Sequence, residues 1–121
     1  FKYASIPKGT HNSRPYKGGV LANDTASDRV AYFNRKGEVL KSVPLIRYRE
    51  DALLNANIKK DTARQAFGRG LCITQDGLII VGSSPSTITV YNLEEEKMLK
   101  TVNITMNVRN AIHGLEIWPF S

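Results

Sequence analysis

Residues 69–104 read RGLCITQDGLIIVGSSPSTITVYNLEEEKMLKTVNI, and this stretch decides the fold. It contains four short segments rich in apolar and β-branched residues or alternating between apolar and polar ones, which is typical of strands. The Asp76-Gly77 pair between the first two segments is a strong signal for a tight hairpin turn. Strands joined in this way form an antiparallel meander. We therefore predict strands at 71–73, 78–81, 87–91 and 97–104.

The same order of segments occurs earlier in the chain, at an offset of 58 or 59 residues. A third copy begins where His113-Gly114-Leu115 repeats Arg69-Gly70-Leu71, at an offset of 44 residues. The shorter offset is typical of one blade of a β-propeller, and the longer one predicts an insertion between units. Glu, Ala and Leu residues in that insertion favour a short helix or an ordered loop. The predicted divisions are two units at about 11–45 and 67–104, a partial unit at 108–121, and an insertion near 46–66.

The repeat resembles the β-propellers, and among them the NHL-type, lactonase-type and arylsulfotransferase-type bacterial proteins. The resemblance covers residues 11–44 and 67–120, and the segment 114–119 is similar to the inner strands of the lactonase class. It implies an all-β fold in which four-stranded sheets stand radially around a channel. The alternative fold at this length is a β-sandwich of about eight strands.

The number of units also predicts a partner. Two units and part of a third cannot close a ring of four to eight blades. Because each sheet needs a neighbour on both faces, we expect the partner to be the remainder of a longer propeller chain or copies of the same chain. The chain begins with Phe1 rather than Met, which favours a fragment.

Composition narrows the classes of ligand. The 121 residues are 41% hydrophobic and 23% charged, as expected for a soluble globular domain. The net charge of +6 favours an anionic small molecule. We expect no nucleic-acid partner, because no zinc-finger spacing, aromatic RNP-like strand or basic helix is present. No apolar run is long enough to span a bilayer. The single cysteine, Cys72, lies in an apolar run and is expected to be a buried thiol.

Three residues that can carry chemistry occupy one position of the repeat: His11, Arg69 and His113. The resemblance implies that this position opens the strand lining the channel, so the three side chains would converge at one end of the axis. The two imidazoles could act as catalytic acid and base or ligate a divalent metal. Arg69 could hold an anion through its forked N–H donors. The alternative is that both histidines are hydrogen-bonded structural groups.

Other polar residues could complete a ligand-binding site at the same end. The candidates beside Arg69 are Asn12, Arg14, Asn23, Asp24 and Asn110. For Asn23-Asp24 the alternative is turn formation, since both side chains bond readily to nearby backbone. Glu116 follows His113 by three residues and is expected to project to the other side of the strand.

The sequence leaves two functions open at nearly equal rank, and a third ranks below them. The first is a binding module, a propeller part that recognises a ligand or protein partner at one end of the channel. The second is an enzyme, a hydrolase, lyase or transferase that uses the channel histidines on an anionic substrate, with or without a metal. The third is a structural segment with no site. No GxSxG, P-loop, GxGxxG, HExxH or CxxC motif selects a reaction.

Overall fold

The computed structural model describes residues 10–54, 65–66, 68–112 and 114–116. Regular structure in these residues consists of β-strands and two single turns of 3-10 helix, at Thr25–Ser27 and Glu50–Ala52. The prediction of an all-β chain is therefore confirmed. No helix in this part of the chain has the length and hydrophobicity needed to cross a membrane.

Eight strands form two four-stranded antiparallel sheets, and each sheet uses consecutive strands. The described strands pair into two open sheets, neither of which closes on itself. The first sheet contains β1 (His11–Tyr16), β2 (Gly19–Asp24), β3 (Arg29–Phe33) and β4 (Val39–Pro44). The second sheet contains β5 (Gly70–Ile73), β6 (Ile79–Ser83), β7 (Thr87–Asn92) and β8 (Lys97–Asn103).

The two sheets share a β-bulge at the same place. In the first sheet the register between β3 and β4 shifts between Tyr32 and Phe33, which leaves Leu40 as the extra residue. In the second sheet the register between β7 and β8 shifts between Val90 and Tyr91, which leaves Leu99 as the extra residue. The two sheets therefore match in strand order and in the place of this irregularity.

The strand register corrects one detail of the sequence alignment. The predicted match after Gly18-Gly19 has an offset of 58 and equates Leu21 with Ile79. The structure shows that these two residues do not hold the same register: Leu21 pairs with Tyr32, whereas Ile79 pairs with Tyr91. The equivalent of Leu21 is therefore Ile80, one residue further along. The reason is that the β2–β3 connection is one residue longer than the β6–β7 connection. A slip of one residue matters because it moves a side chain to the other face of its sheet.

The main core lies between the two sheets, which pack face to face. Side chains from both sheets form one buried cluster, whose strand members include Leu21, Val30, Val43, Leu71, Ile79, Val81 and Tyr91. Polar bonds also join the sheets: the Asn23 amide donates to the Gly70 carbonyl at 3.1 Å, and the Tyr91 hydroxyl donates to the Pro44 carbonyl at 2.9 Å. A second, smaller cluster occupies the opposite face of the first sheet, formed by Val20, Ala22, Ala31 and Phe33.

The insertion predicted near 46–66 is irregular wherever it is described. It contains the 3-10 turn Glu50–Ala52, and Leu54 then forms an isolated parallel bridge with Asn107. The Leu54 N–H donates to the Met106 carbonyl at 2.8 Å, so Leu54 is extended rather than helical. Residues 55–64 of the insertion lie outside the described residues.

Tyr91 gives the core a predicted sensitivity to alkali. Burial raises the pKa of its hydroxyl from 10.0 to about 12, because the folded interior disfavours the charged phenolate. The stabilising contribution of the neutral hydroxyl is complete below pH 10.0 and is lost as the pH rises through about 12. By this linkage the loss should reach about 2 kcal/mol. Urea unfolding at several pH values should show this loss in the wild type and not in Tyr91→Phe. Equal alkaline losses in the two proteins would contradict the assignment.

Candidate functional site

The predicted site residues fall on three neighbouring parts of the fold. His11, Asn12 and Arg14 lie on β1, Asn23 and Asp24 end β2, and Arg69 immediately precedes β5. The first strands of the two sheets, β1 and β5, lie next to each other. Asn110 is exposed in the segment after β8, where its N–H donates to the Asn107 carbonyl at 3.0 Å. His113 lies outside the described residues.

The structure brings Asn12 and Arg69 together. The Asn12 side-chain amide donates to the Arg69 carbonyl, which ties the start of β1 to the start of β5. Asn12 has a positive φ of 51° and lies at the bulge between His11 and Ser13, which turns it out of the regular alternation of the strand. Two of the predicted residues therefore meet at the junction of the two sheets.

His11 is held by a short chain of hydrogen bonds. Its Nδ1 lies 3.0 Å from the Thr25 hydroxyl, and that hydroxyl donates to the Gly68 carbonyl at 2.8 Å. Because a carbonyl only accepts, the threonine proton is used there, and Nδ1 of His11 is the donor to the threonine oxygen. In the neutral ring Nε2 is then the basic nitrogen. This arrangement suits either a structural histidine or a general base.

Catalytic and metal roles for His11 and His113 stay predictions. The described residues contain no group of three or more His, Cys, Asp or Glu side chains placed to hold a metal ion. Whether the two imidazoles meet is a prediction that the described residues do not test, because His113 lies outside them.

Asn23 and Asp24 point to opposite faces of the first sheet. Asn23 is fully buried against the second sheet through its bond to Gly70. Asp24 is buried on the other face, where one carboxylate oxygen accepts from Nε of Arg29 at 2.8 Å. The second oxygen of Asp24 and the amide oxygen of Asn23 have no hydrogen-bond partner among the described residues. The structure thus places Asn23 beside the β5 junction and Asp24 away from it.

A pocket of about 350 Å³ lies beside β1. Asn12 and Arg14 line one part of it, and the segment 114–116 lines the rest. Arg14 pairs with Leu21, and Cys72 pairs with Ile80, the equivalent of Leu21, so Arg14 and Cys72 hold matching positions in the two sheets. In the predicted alignment of the second and third units, the same position is Glu116. Two of these three residues, Arg14 and Glu116, line the pocket.

Both charged side chains act electrostatically on the Cys72 thiol. Burial raises the pKa of the Cys72 thiol, and the negative charge of Glu116 raises it further, while the positive charge of Arg14 opposes the shift. The thiol is buried and stays protonated at neutral pH, so it forms a neutral wall rather than a nucleophile. The prediction that Cys72 is a buried thiol is confirmed.

Arg14 also borders a second pocket of about 450 Å³ on the other side of β1. This pocket is largely apolar, and its lining includes Pro15, Val20 and Gly19. Arg35 contributes to it and donates to the Gly18 carbonyl at 3.3 Å. Arg14 thus separates an apolar pocket from a charged one.

Glu116 was missed as a site residue because its position was judged only relative to His113. The signal that would have found it is the alignment of the units themselves, which equates Arg14, Cys72 and Glu116 once β1 and β5 are in register. No family model matches the chain, and no curated protein or solved structure matches it. The candidate site is therefore defined by its own geometry, a charged pocket between β1 and residues 114–116.

Proposed function

We propose that the chain is part of a β-propeller that binds a small anionic ligand at its first strands. The proposal is carried by the pocket beside β1, which Arg14 and Asn12 line together with residues 114–116. The guanidinium of Arg14 supplies forked N–H donors that suit a carboxylate or phosphate group. The proposal has two parts, the stacking of sheets and the binding of an anion.

Matched positions in the two sheets support the stacking. Val43 pairs with Val30 on the face that the second sheet covers, and it is 1% exposed. Val102 pairs with Ile88 at the equivalent place on the second sheet, and it is 48% exposed. The same apolar face is therefore covered in one unit and open in the other. A further four-stranded sheet of the same kind is the occupant that this face fits.

The chain beyond β8 already begins to cover that face. The Gly70 N–H donates to the Ile112 carbonyl at 3.1 Å. A Cβ added at Gly82 would lie 2.5 Å from Cγ2 of Ile112, so the isoleucine fills the space that glycine leaves. Ile112 and Leu115 thus lie against the second sheet much as Gly68 lies against the first. Sheets built from consecutive strands, with first strands adjacent, fit a propeller better than a Greek-key sandwich.

The anion-binding part depends on the charge of Arg14. Among the described residues Arg14 forms no ion pair, although it is half-buried beside the pocket. A half-buried guanidinium is partly desolvated, so a bound anion would gain more from it than from an exposed lysine. The net charge of +6 adds a general attraction for anions.

Arg14→Gln should weaken binding of butyrate and inorganic phosphate by about tenfold or more, because a charge-assisted hydrogen bond is lost. The measurement is titration of isotope-labelled protein by NMR, following the amides of residues 12–14 and 114–116. Lys100→Gln removes the same charge from an exposed position on β8 and should leave both affinities unchanged. Equal affinities in wild type and Arg14→Gln, or no binding by wild type, would overturn the proposal.

A further inference from the structure

The pocket beside β1 carries a negative charge opposite its positive one. Glu116 lines the same pocket as Arg14 and is exposed to solvent. Within the described part of the chain neither side chain forms an ion pair, with the other or with any third residue. Two opposite charges that share a pocket without neutralising each other leave room for a ligand between them.

We infer that the pocket takes a zwitterionic small molecule, whose carboxylate binds Arg14 and whose ammonium group binds Glu116. The inference rests on the proposed anion binding at Arg14 and adds the chemistry of the other end of the ligand. An ammonium group donates three N–H bonds and matches a carboxylate in charge. Ligands of one charge are disfavoured, because Glu116 repels a dianion and Arg14 repels a diamine.

The wall between the two charges is neutral. Leu115 lines the pocket, and Cys72 lies close enough to both charges for each to act on its thiol. Because that thiol is buried and protonated, it adds no third charge beside the pocket. The site therefore fits a short aliphatic chain with a carboxylate at one end and an ammonium group at the other. A linear ω-amino acid has this chemistry.

The test compares four probes of similar size: 4-aminobutyrate, butyrate, butylamine and succinate. NMR titration of the wild type should give about tenfold tighter binding for 4-aminobutyrate than for butyrate, with the weakest binding for butylamine and succinate. Glu116→Gln should remove the advantage of 4-aminobutyrate while keeping or improving the binding of butyrate and succinate. Glu95→Gln makes the same charge change at an exposed turn of the second sheet and should leave the order of the probes unchanged.

The outcomes separate the two proposals. If butyrate binds and 4-aminobutyrate binds no better, the zwitterion inference fails and anion binding at Arg14 stands. If an advantage of 4-aminobutyrate survives Glu116→Gln, the ammonium group is held elsewhere and the inference fails. If neither probe perturbs the residues of the pocket, both proposals fail.

Discussion

Val43→Asp should lower the free energy of unfolding by about 4 kcal/mol, whereas Val102→Asp should lower it by about 1 kcal/mol or less. The two valines hold matching register positions in the two sheets, opposite Val30 and Ile88. Val43 is buried between the sheets, so an aspartate there must be desolvated or protonated. Val102 is about half exposed, so its aspartate keeps most of its water, and only strand propensity and partial packing are lost.

Urea denaturation of the two variants measures this difference directly. Val43→Ala and Val102→Ala provide the matched control, because they remove the same methyl groups without adding charge. The alanine pair should rank in the same order, with about 2 kcal/mol lost at the buried site. Similar losses for Val43→Asp and Val102→Asp would show that the two faces are equally covered, and would remove the support they give to stacking.

Gly19→Ala should cost about 3 kcal/mol, and Gly18→Ala about 1 kcal/mol. A Cβ at Gly19 would lie 2.1 Å from the Phe33 carbonyl oxygen and 2.8 Å from Cε1 of Tyr32. The carbonyl belongs to β3, which pairs with β2, so it cannot move without disturbing that pairing. Gly18 has open space around it, and its φ of 79° alone makes alanine unfavourable.

Thermal or urea unfolding of the two alanine variants is the measurement for these adjacent glycines. Gly77→Ala is the control in the second sheet, because Gly77 also combines a positive φ with open space. It should behave like Gly18→Ala. If Gly19→Ala costs no more than the other two, the close approach of β2 to the Phe33 carbonyl is not tight enough to require glycine.

The second sheet could be predicted because each of its strands and turns has a local sequence signal. The segments 71–73, 78–81 and 87–91 agree with β5, β6 and β7 to within two residues at each end. The first strand of the other sheet, HNSRPY, has no apolar pattern of its own and was predicted only through the repeat. The predicted alignment of β2 with β6 is wrong by one residue, because the length of a surface connection leaves no periodic signal in the sequence.

The site was predictable in part. Repeat position predicts Arg69, and nearness to His11 predicts Asn12 and Arg14; the structure places Asn12 against Arg69 and beside Arg14. Asp24 was chosen as a polar strand end, but its side chain alternates to the face opposite Asn23. Burial on that face depends on packing between parts of the chain that are distant in sequence. A local sequence pattern does not predict such packing.

The shared bulge has a consequence for how molecules of this protein meet. In the described sheets, β4 and β8 are the last strands and each forms one edge of its sheet, and each contains the bulge next to a lysine, Lys41 or Lys100. A kinked, positively charged edge is a poor template for a strand of another molecule, so it resists fibril-like growth. Strand-to-strand association along these two edges is thereby disfavoured.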